Sequence, residues 1–196
     1  MIGIADTGQA ETDLAAGTLT CPRCAGSLQP WGHARARTVR DHGPTTVALR
    51  PRRARCRACR STQVLLPAVV APRRADTTAV IGAALQASAR GIGYRRIAVR
   101  LNRPVSTLRR WIRAGRDPQH AGWLRAQAVA WLARVDRDVL GGLAPQPTRL
   151  GEALTALAAA ALTLRSRVAP HVPPWTLIGQ ITHGRLVTRP APTRPD

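Results

Sequence analysis

Cys21, Cys24, Cys56 and Cys59 are the only cysteines among the 196 residues, and they come as two C-x-x-C pairs. Two such pairs joined by a long loop match a tetrahedral zinc site. Each pair forms a tight knuckle that sets its two sulfurs about 3.5–4 Å apart on one face. Four thiolates close the coordination sphere and leave no position for water, so the expected cofactor is one structural Zn²⁺. A redox dithiol would want a single pair in a βαβ context, and structural disulfides would want an exported chain. Neither context is present. Arg55, Arg57 and Arg60 flank the second pair and favour the thiolate forms. His33 and His42 are spare nitrogens that a four-cysteine site does not need.

The elements that must carry these ligands are strands. The 31 residues between the pairs exceed the common ribbon spacing of about 15–20, and a long hairpin absorbs the excess. Gln29 to Val39 reads as one strand and Thr45 to Arg55 as the next, with Asp41-His42-Gly43-Pro44 as the turn. Thr62 to Leu66 supplies a third short strand. This is the layout of a zinc ribbon, over residues 21–66. Such a module has almost no core, so metal binding must supply much of its folding energy.

Charge points to the partner. The chain carries 30 Arg, no Lys and 10 acidic residues, for a net charge of +20. The preference for Arg over Lys fits a GC-rich coding bias as well as phosphate binding, but its distribution is separate information. Residues 1–20 hold three acids and no base, and are expected to be a disordered acidic terminus. Residues 21–116 hold 21 Arg against Asp41 and Asp76, a net +19. A field of that size favours a polyanion, and double-stranded DNA is the expected partner. A membrane surface is not, because no amphipathic helix with large apolar anchors accompanies the charge. The longest strongly apolar run, Ala153 to Leu164, has 12 residues, short of the about 20 that a span needs. With no basic, apolar leader before Arg23, the expected location is the cytoplasm, on the nucleoid.

After a connector at residues 67–75 the pattern turns helical. Asp76 is placed to cap a helix from Thr77 to about Ala89. Tyr94 to Leu101, then Asn102-Arg103-Pro104, then Val105 to Arg113 reads as helix, short turn, helix. Ala98 permits close crossing, Asn102 tolerates a left-handed turn position, and Pro104 stops one helix and opens the next. Leu108, Trp111 and Ile112 form a buried stripe, leaving Ser106, Thr107, Arg109, Arg110 and Arg113 outward. That fits a recognition helix in the major groove, within a helix-turn-helix domain spanning residues 76–114. Arg95 joins the DNA-contacting set, and Arg50, Arg52, Arg53 and Arg55 of the ribbon are expected to grip phosphate.

The stretch from Tyr94 to Ile112 resembles the helix-turn-helix of bacterial transposases and resolvases. The order of Cys pair, Pro30-Trp31-Gly32-His33, Arg-rich hairpin, Cys pair and this motif resembles the amino-terminal DNA-binding half of insertion-sequence transposases. It also resembles small zinc-ribbon/helix-turn-helix proteins of high-GC bacteria associated with mobile elements. The resemblance covers residues 21–113, with weaker echoes at Pro174-Trp175 and Gly184-Arg185-Leu186. It implies Ser106, Thr107, Arg109, Arg110 and Arg113 as the recognition positions, and a transposase or recombinase as a further partner.

A nuclease core does not follow from it. The acids after residue 113 are Asp117, Asp136, Asp138, Glu152 and Asp196, in helical or tail contexts, whereas two-metal catalysis needs acids converging from a strand-rich domain. Asp136 and Asp138 read as solvated partners of Arg134 and Arg137, and Tyr94 reads as a packing residue. The chain is therefore expected not to be an enzyme. Residues 118–187 read as an Ala/Leu-rich helical region, capped at Asp117-Pro118. It has helices to about Leu140, from Arg149 to Val168, and from Pro174 to Thr182. It serves dimerisation, a foreign partner or the chain's own core. Residues 188–196 read as a disordered tail. The expected fold is mainly α, with a small amino-terminal β zinc ribbon, a helix-turn-helix in the middle and a helical carboxy-terminal region. The function read from it is sequence-specific DNA binding in transposition or transcription. The rivals are a zinc-ribbon module docking on RNA polymerase or a recombinase, and the DNA-binding remnant of a transposase.

Overall fold

The computed structural model describes residues 2–4, 7–167 and 169–188. Strand β1 (Ile2–Ile4) and helix α1 (Thr7–Ala15) lead into β2 (Leu28–His33), β3 (Arg37–Arg40), β4 (Thr46–Leu49), β5 (Arg52–Cys56) and β6 (Thr62–Pro67). Four strands form one sheet in the order β1-β6-β5-β2, and β3 and β4 form a second, two-stranded sheet. β1 runs parallel to β6; the other pairs are antiparallel.

Each of the two long strands expected between the cysteine pairs is broken. Register slips between Pro30 and His33, where Gly32 takes φ 74°, a conformation that glycine adopts without a Cβ clash. On the return strand Pro51 has no amide to donate, and a single bond from the Ala34 amide to the Pro51 carbonyl (2.8 Å) joins the two halves. The outer half is thereby freed to fold over as β3–β4, and Val39 packs with Leu66 and Val70 in a small cluster of its own.

The acidic terminus is not a disordered appendage over its described residues. β1 pairs with β6, and α1 lays Ala10 and Leu14 on Leu28, Ala54 and Leu65 of the sheet. Two apolar residues four apart give α1 a buried stripe, while Glu11 on its outer side meets Arg52 at 2.8 Å. The negative segment thus complements the positive one that follows.

The helices are α2 (Thr78–Ala89), α3 (Tyr94–Leu101), α4 (Val105–Arg116), α5 (Pro118–Val135), α6 (Arg149–Arg167) and α7 (Pro174–Ile181), with a 3-10 segment at Arg137–Gly142. Helix α2 is apolar around most of its circumference, which suits a central helix. The cap expected from Asp76 is made by Thr77, whose hydroxyl accepts from the Val80 amide; Asp76 is instead committed to two arginines. At α5 the Asp117 carboxylate accepts from the His120 amide and Pro118 opens the helix. Asp136 ends α5 and pairs with Arg167, not with Arg134 or Arg137. One continuous apolar cluster runs from Ala71 through α2, α3, α4, α5, α6 and α7 to Val187, so residues 118–187 pack on the chain's own middle helices. Val168 and the tail from residue 189 lie outside the described residues.

The chain is thus a pair of small amino-terminal sheets followed by a predominantly helical region. Among the described residues, no helix is long and apolar enough to cross a membrane.

Candidate metal centre and cationic surface

The two C-x-x-C turns are built alike. In each, the residue after the second cysteine takes a left-handed backbone: Ala25 at φ 56° and Arg60 at φ 62°. The chain then folds back on the first cysteine, whose amide donates to the carbonyl of Gly26 in one turn (2.8 Å) and of Ser61 in the other (2.9 Å). At the first turn the close approach excludes a side chain. A Cβ on Gly26 would lie 3.0 Å from the Ala58 Cβ and 3.2 Å from the Cys56 sulfur.

The sheet brings the two turns face to face, because β2 follows the first and β5 precedes the second, with Leu28 opposite Cys56. The Cys21 and Cys59 sulfurs are 3.7 Å apart and those of Cys24 and Cys56 are 3.5 Å apart. All four lie within 4.8 Å of one another, and no disulfide joins them. A tetrahedral site with metal–sulfur bonds near 2.3 Å has sulfur–sulfur edges of about 3.8 Å. The cluster is therefore sized for one metal ion held by four thiolates, and all four expected ligands converge. A fifth group supports it. The Ser61 hydroxyl lies 3.1 Å from the Cys59 sulfur and 3.5 Å from that of Cys21. That hydroxyl is the chief reason that Cys59 is lowered to about 6 and that Cys21 is lowered as well. Cys24 is pushed the other way, to about 11: the Gly26 amide lowers it, but the Cys59 and Cys56 thiols outweigh that amide. Thiols so close cannot all ionise without a cation between them.

The second cluster of expected site residues lies on α3 and α4. Helix α3 ends on Asn102 in the left-handed region (φ 50°), and Pro104 starts α4. Leu108, Trp111 and Ile112 are buried, with Ile97 and Ala98 of α3 in the same core. Ser106, Arg109, Arg110 and Arg113 are exposed, and Thr107 is half-buried. The Tyr94 ring packs against the core and carries the Arg95 and Arg109 guanidiniums at 5.9 and 5.7 Å from its centroid. Arg95, Arg109, Arg110 and Arg113 thus stand on one helix pair.

The turn between those helices is held by a buried arginine. Arg103 donates through Nε to Asp76, through Nη1 to the carbonyls of Leu101 and Asn102, and through Nη2 to the Asp41 carbonyl (2.7 Å). Asp76 also accepts from Arg40 (2.8 Å), and the Thr77 hydroxyl donates to the Asp41 carboxylate (2.8 Å). Arg40 ends the β3 strand and Asp41 opens the turn to β4, so the hairpin is tied directly to the α3–α4 turn. Sequence reading missed this network. Its only signal was that Asp41 and Asp76 are the sole acids among residues 21–116.

The ribbon arginines are differently placed. Arg50 is exposed. The Arg52 guanidinium pairs with Glu11 and donates to the Gly32 carbonyl, so its charge is already answered. Arg53 is half-buried on β5, and Arg55 lies 4.5 Å over the Trp31 ring while donating to the Arg60 carbonyl. The hydrogen bond that ties the Cys-bearing half to the α3–α4 turn is accepted by the Asp41 carbonyl from Arg103, and β5 takes no part in it.

A family model described as a domain of unknown function (DUF6431) matches residues 21–111. It spans both cysteine pairs and runs to Trp111 on α4. No curated protein and no solved structure matches the chain.

Proposed function

We propose that the chain is a zinc-stabilised protein that binds duplex DNA sequence-specifically, with α3, the turn and α4 acting as a helix-turn-helix and α4 entering the major groove. The observation that carries this reading is the two-sided character of α4. Leu108, Trp111 and Ile112 anchor it, while Arg109, Arg110 and Arg113 are exposed on the outer face with Ser106 at its start. Arg is the side chain that bonds guanine O6 and N7 in a fork, and hydroxyls at a helix start suit phosphate. The surrounding segment carries +19. Zinc is the metal that a closed four-thiolate site selects over harder ions. When bound, it welds the two turns and keeps the thiols ionised; it supplies no reaction. The family match supports treating the cysteine cluster and the α3–α4 pair as one unit, because it runs from Cys21 through α3 and into α4 as far as Trp111.

The role that fits is a non-catalytic one in the cytoplasm, in transposition or transcription. The chain marks a DNA site, and a separate recombinase or the transcription machinery acts there. Two copies on paired half-sites would multiply the contacts.

Selection of bound duplexes from random sequence with zinc-loaded protein tests this reading. Enrichment of a defined motif is expected, and its affinity should fall with salt at a log–log slope of about −5 or steeper, as six or more phosphate contacts require. No enrichment, or a flat salt response, would favour a protein partner.

A further inference from the structure

The four-stranded sheet has two faces, and only one is covered by α1. Ala54, Cys56, Leu28 and Leu65 point to α1, so strand alternation sends Gln29, Trp31, Arg53, Arg55, Thr62 and Val64 to the other side. At its far end that second face carries Leu66, which Val39 and Val70 bury. The end nearer the cysteine turns stays open. There Trp31 is 46% exposed, and it is the one tryptophan of five among the exposed large hydrophobics. The Arg55 guanidinium lies over one face of its ring.

An exposed indole flanked by arginines offers an amphipathic stacking face. Three features say what it binds. The ring is flat and its electron-rich face is already paired with a cation on one side, so the other side accepts a second planar group. Arg55 lies on it, Arg53 shares its face of the sheet, Arg57 and Arg60 follow in the adjoining turn, and no acidic residue occurs between Asp41 and Asp76. The β3–β4 hairpin that packs on this same face is the one that holds the α3–α4 turn through Asp41 and Arg103. A planar π-system joined to a phosphate chain matches all three, whereas an acidic peptide matches only the charge.

We propose that the open end of this sheet binds an unpaired nucleic-acid base, stacked on Trp31, with Arg53 and Arg57 holding the adjoining phosphates. The inference rests on nucleic acid as the partner but not on α4 as the reader. Stacking is sequence-tolerant, since every base has a π-face. The sheet thus grips a frayed or displaced strand, while α4 deals with the paired one.

The test uses the zinc-loaded full chain and a labelled thymidine oligonucleotide of about 12 nucleotides. Trp31→Ala should weaken its binding on the order of 5- to 150-fold, and Trp31→Phe should restore most of that loss. Trp31→Leu, which keeps the apolar bulk without the π-face, should behave like the alanine variant. Unchanged zinc content certifies the fold of each variant. An Arg109→Ala/Arg110→Ala variant should keep single-strand affinity while losing duplex preference. Equal binding by native and Trp31→Ala protein would overturn the proposal. So would Trp31→Leu matching Trp31→Phe, or poly-glutamate displacing the oligonucleotide and itself depending on Trp31. If duplex selection succeeds and single strands are ignored, only the sheet proposal falls; if selection fails while Trp31 governs single-strand binding, only the reading of α4 falls.

Discussion

Arg103 and Asp76 form a buried ion pair, with side chains 4% and 2% exposed, between the α3–α4 turn and the segment that joins β6 to α2.

 
The pair is completed by Arg40 on the carboxylate and by three carbonyls on the guanidinium. Removing one partner of such a pair leaves a buried charge without an answer, which costs about 3–5 kcal/mol. The network ties the α3–α4 turn to the β3–β4 hairpin.

Asp76→Ala should lower the urea midpoint by an amount equivalent to about 3–5 kcal/mol. Arg103→Lys should be nearly as costly, because an ammonium cannot reach Asp76 and three carbonyls at once. Zinc content should stay at one per chain in both, since no cysteine is touched. Equilibrium unfolding with a metal assay checks this.

Ser61→Ala should weaken metal affinity by about 10-fold or more, by removing the hydroxyl beside Cys59 and Cys21. Competition against a chromophoric chelator reads the change.

Acid should strip the metal. A thiol lowered in the folded chain, as Cys59 is to about 6, contributes stability that is full above its ordinary range and lost as pH falls through 6. Raised Cys24 contributes the opposite way, full below the ordinary thiol range and lost as pH rises through about 11. Metal binding requires all four thiolates, so protons compete with it throughout. Zinc release should therefore steepen as pH falls toward and below 6, followed by titrating free thiols at each pH. The helical core, which shares no residue with the sheet cluster, should keep its far-ultraviolet signal while the sheet loosens.

Gly82→Ala should unseat α7. A Cβ there would fall 2.3 Å from the Trp175 ring, and overpacking of this kind costs about 1–3 kcal/mol. Pairing it with Trp175→Leu should recover part of the loss, and a double-mutant cycle on thermal midpoints measures how much.

The cysteine cluster was readable because metal geometry ties function to a short, rigid spacing. The α3–α4 pair was readable because Ile97, Leu108, Trp111 and Ile112 recur at helical intervals and Asn102 and Pro104 punctuate them. What escaped was long-range. That Glu11 answers Arg52, or that Arg103 reaches across to Asp41 and Asp76, depends on which surfaces meet, and local pattern holds no record of that. The long hairpin is broken for a local reason: Gly32 and Pro51 interrupt the ladder on facing strands. Asp76 resembles a cap because Asp, like Ser, Thr and Asn, is a preferred cap before an apolar run; Thr77, one residue on, holds the capping position.

The most direct measurement compares dissociation constants of the zinc-loaded chain for its selected duplex and for a scrambled duplex of equal composition, at physiological salt. A preference of about 10³-fold or more is predicted. Arg109→Ala and Arg110→Ala should each remove about 1–3 kcal/mol of it at single base steps. Equal affinity for the two duplexes, unchanged by either substitution, would contradict the account.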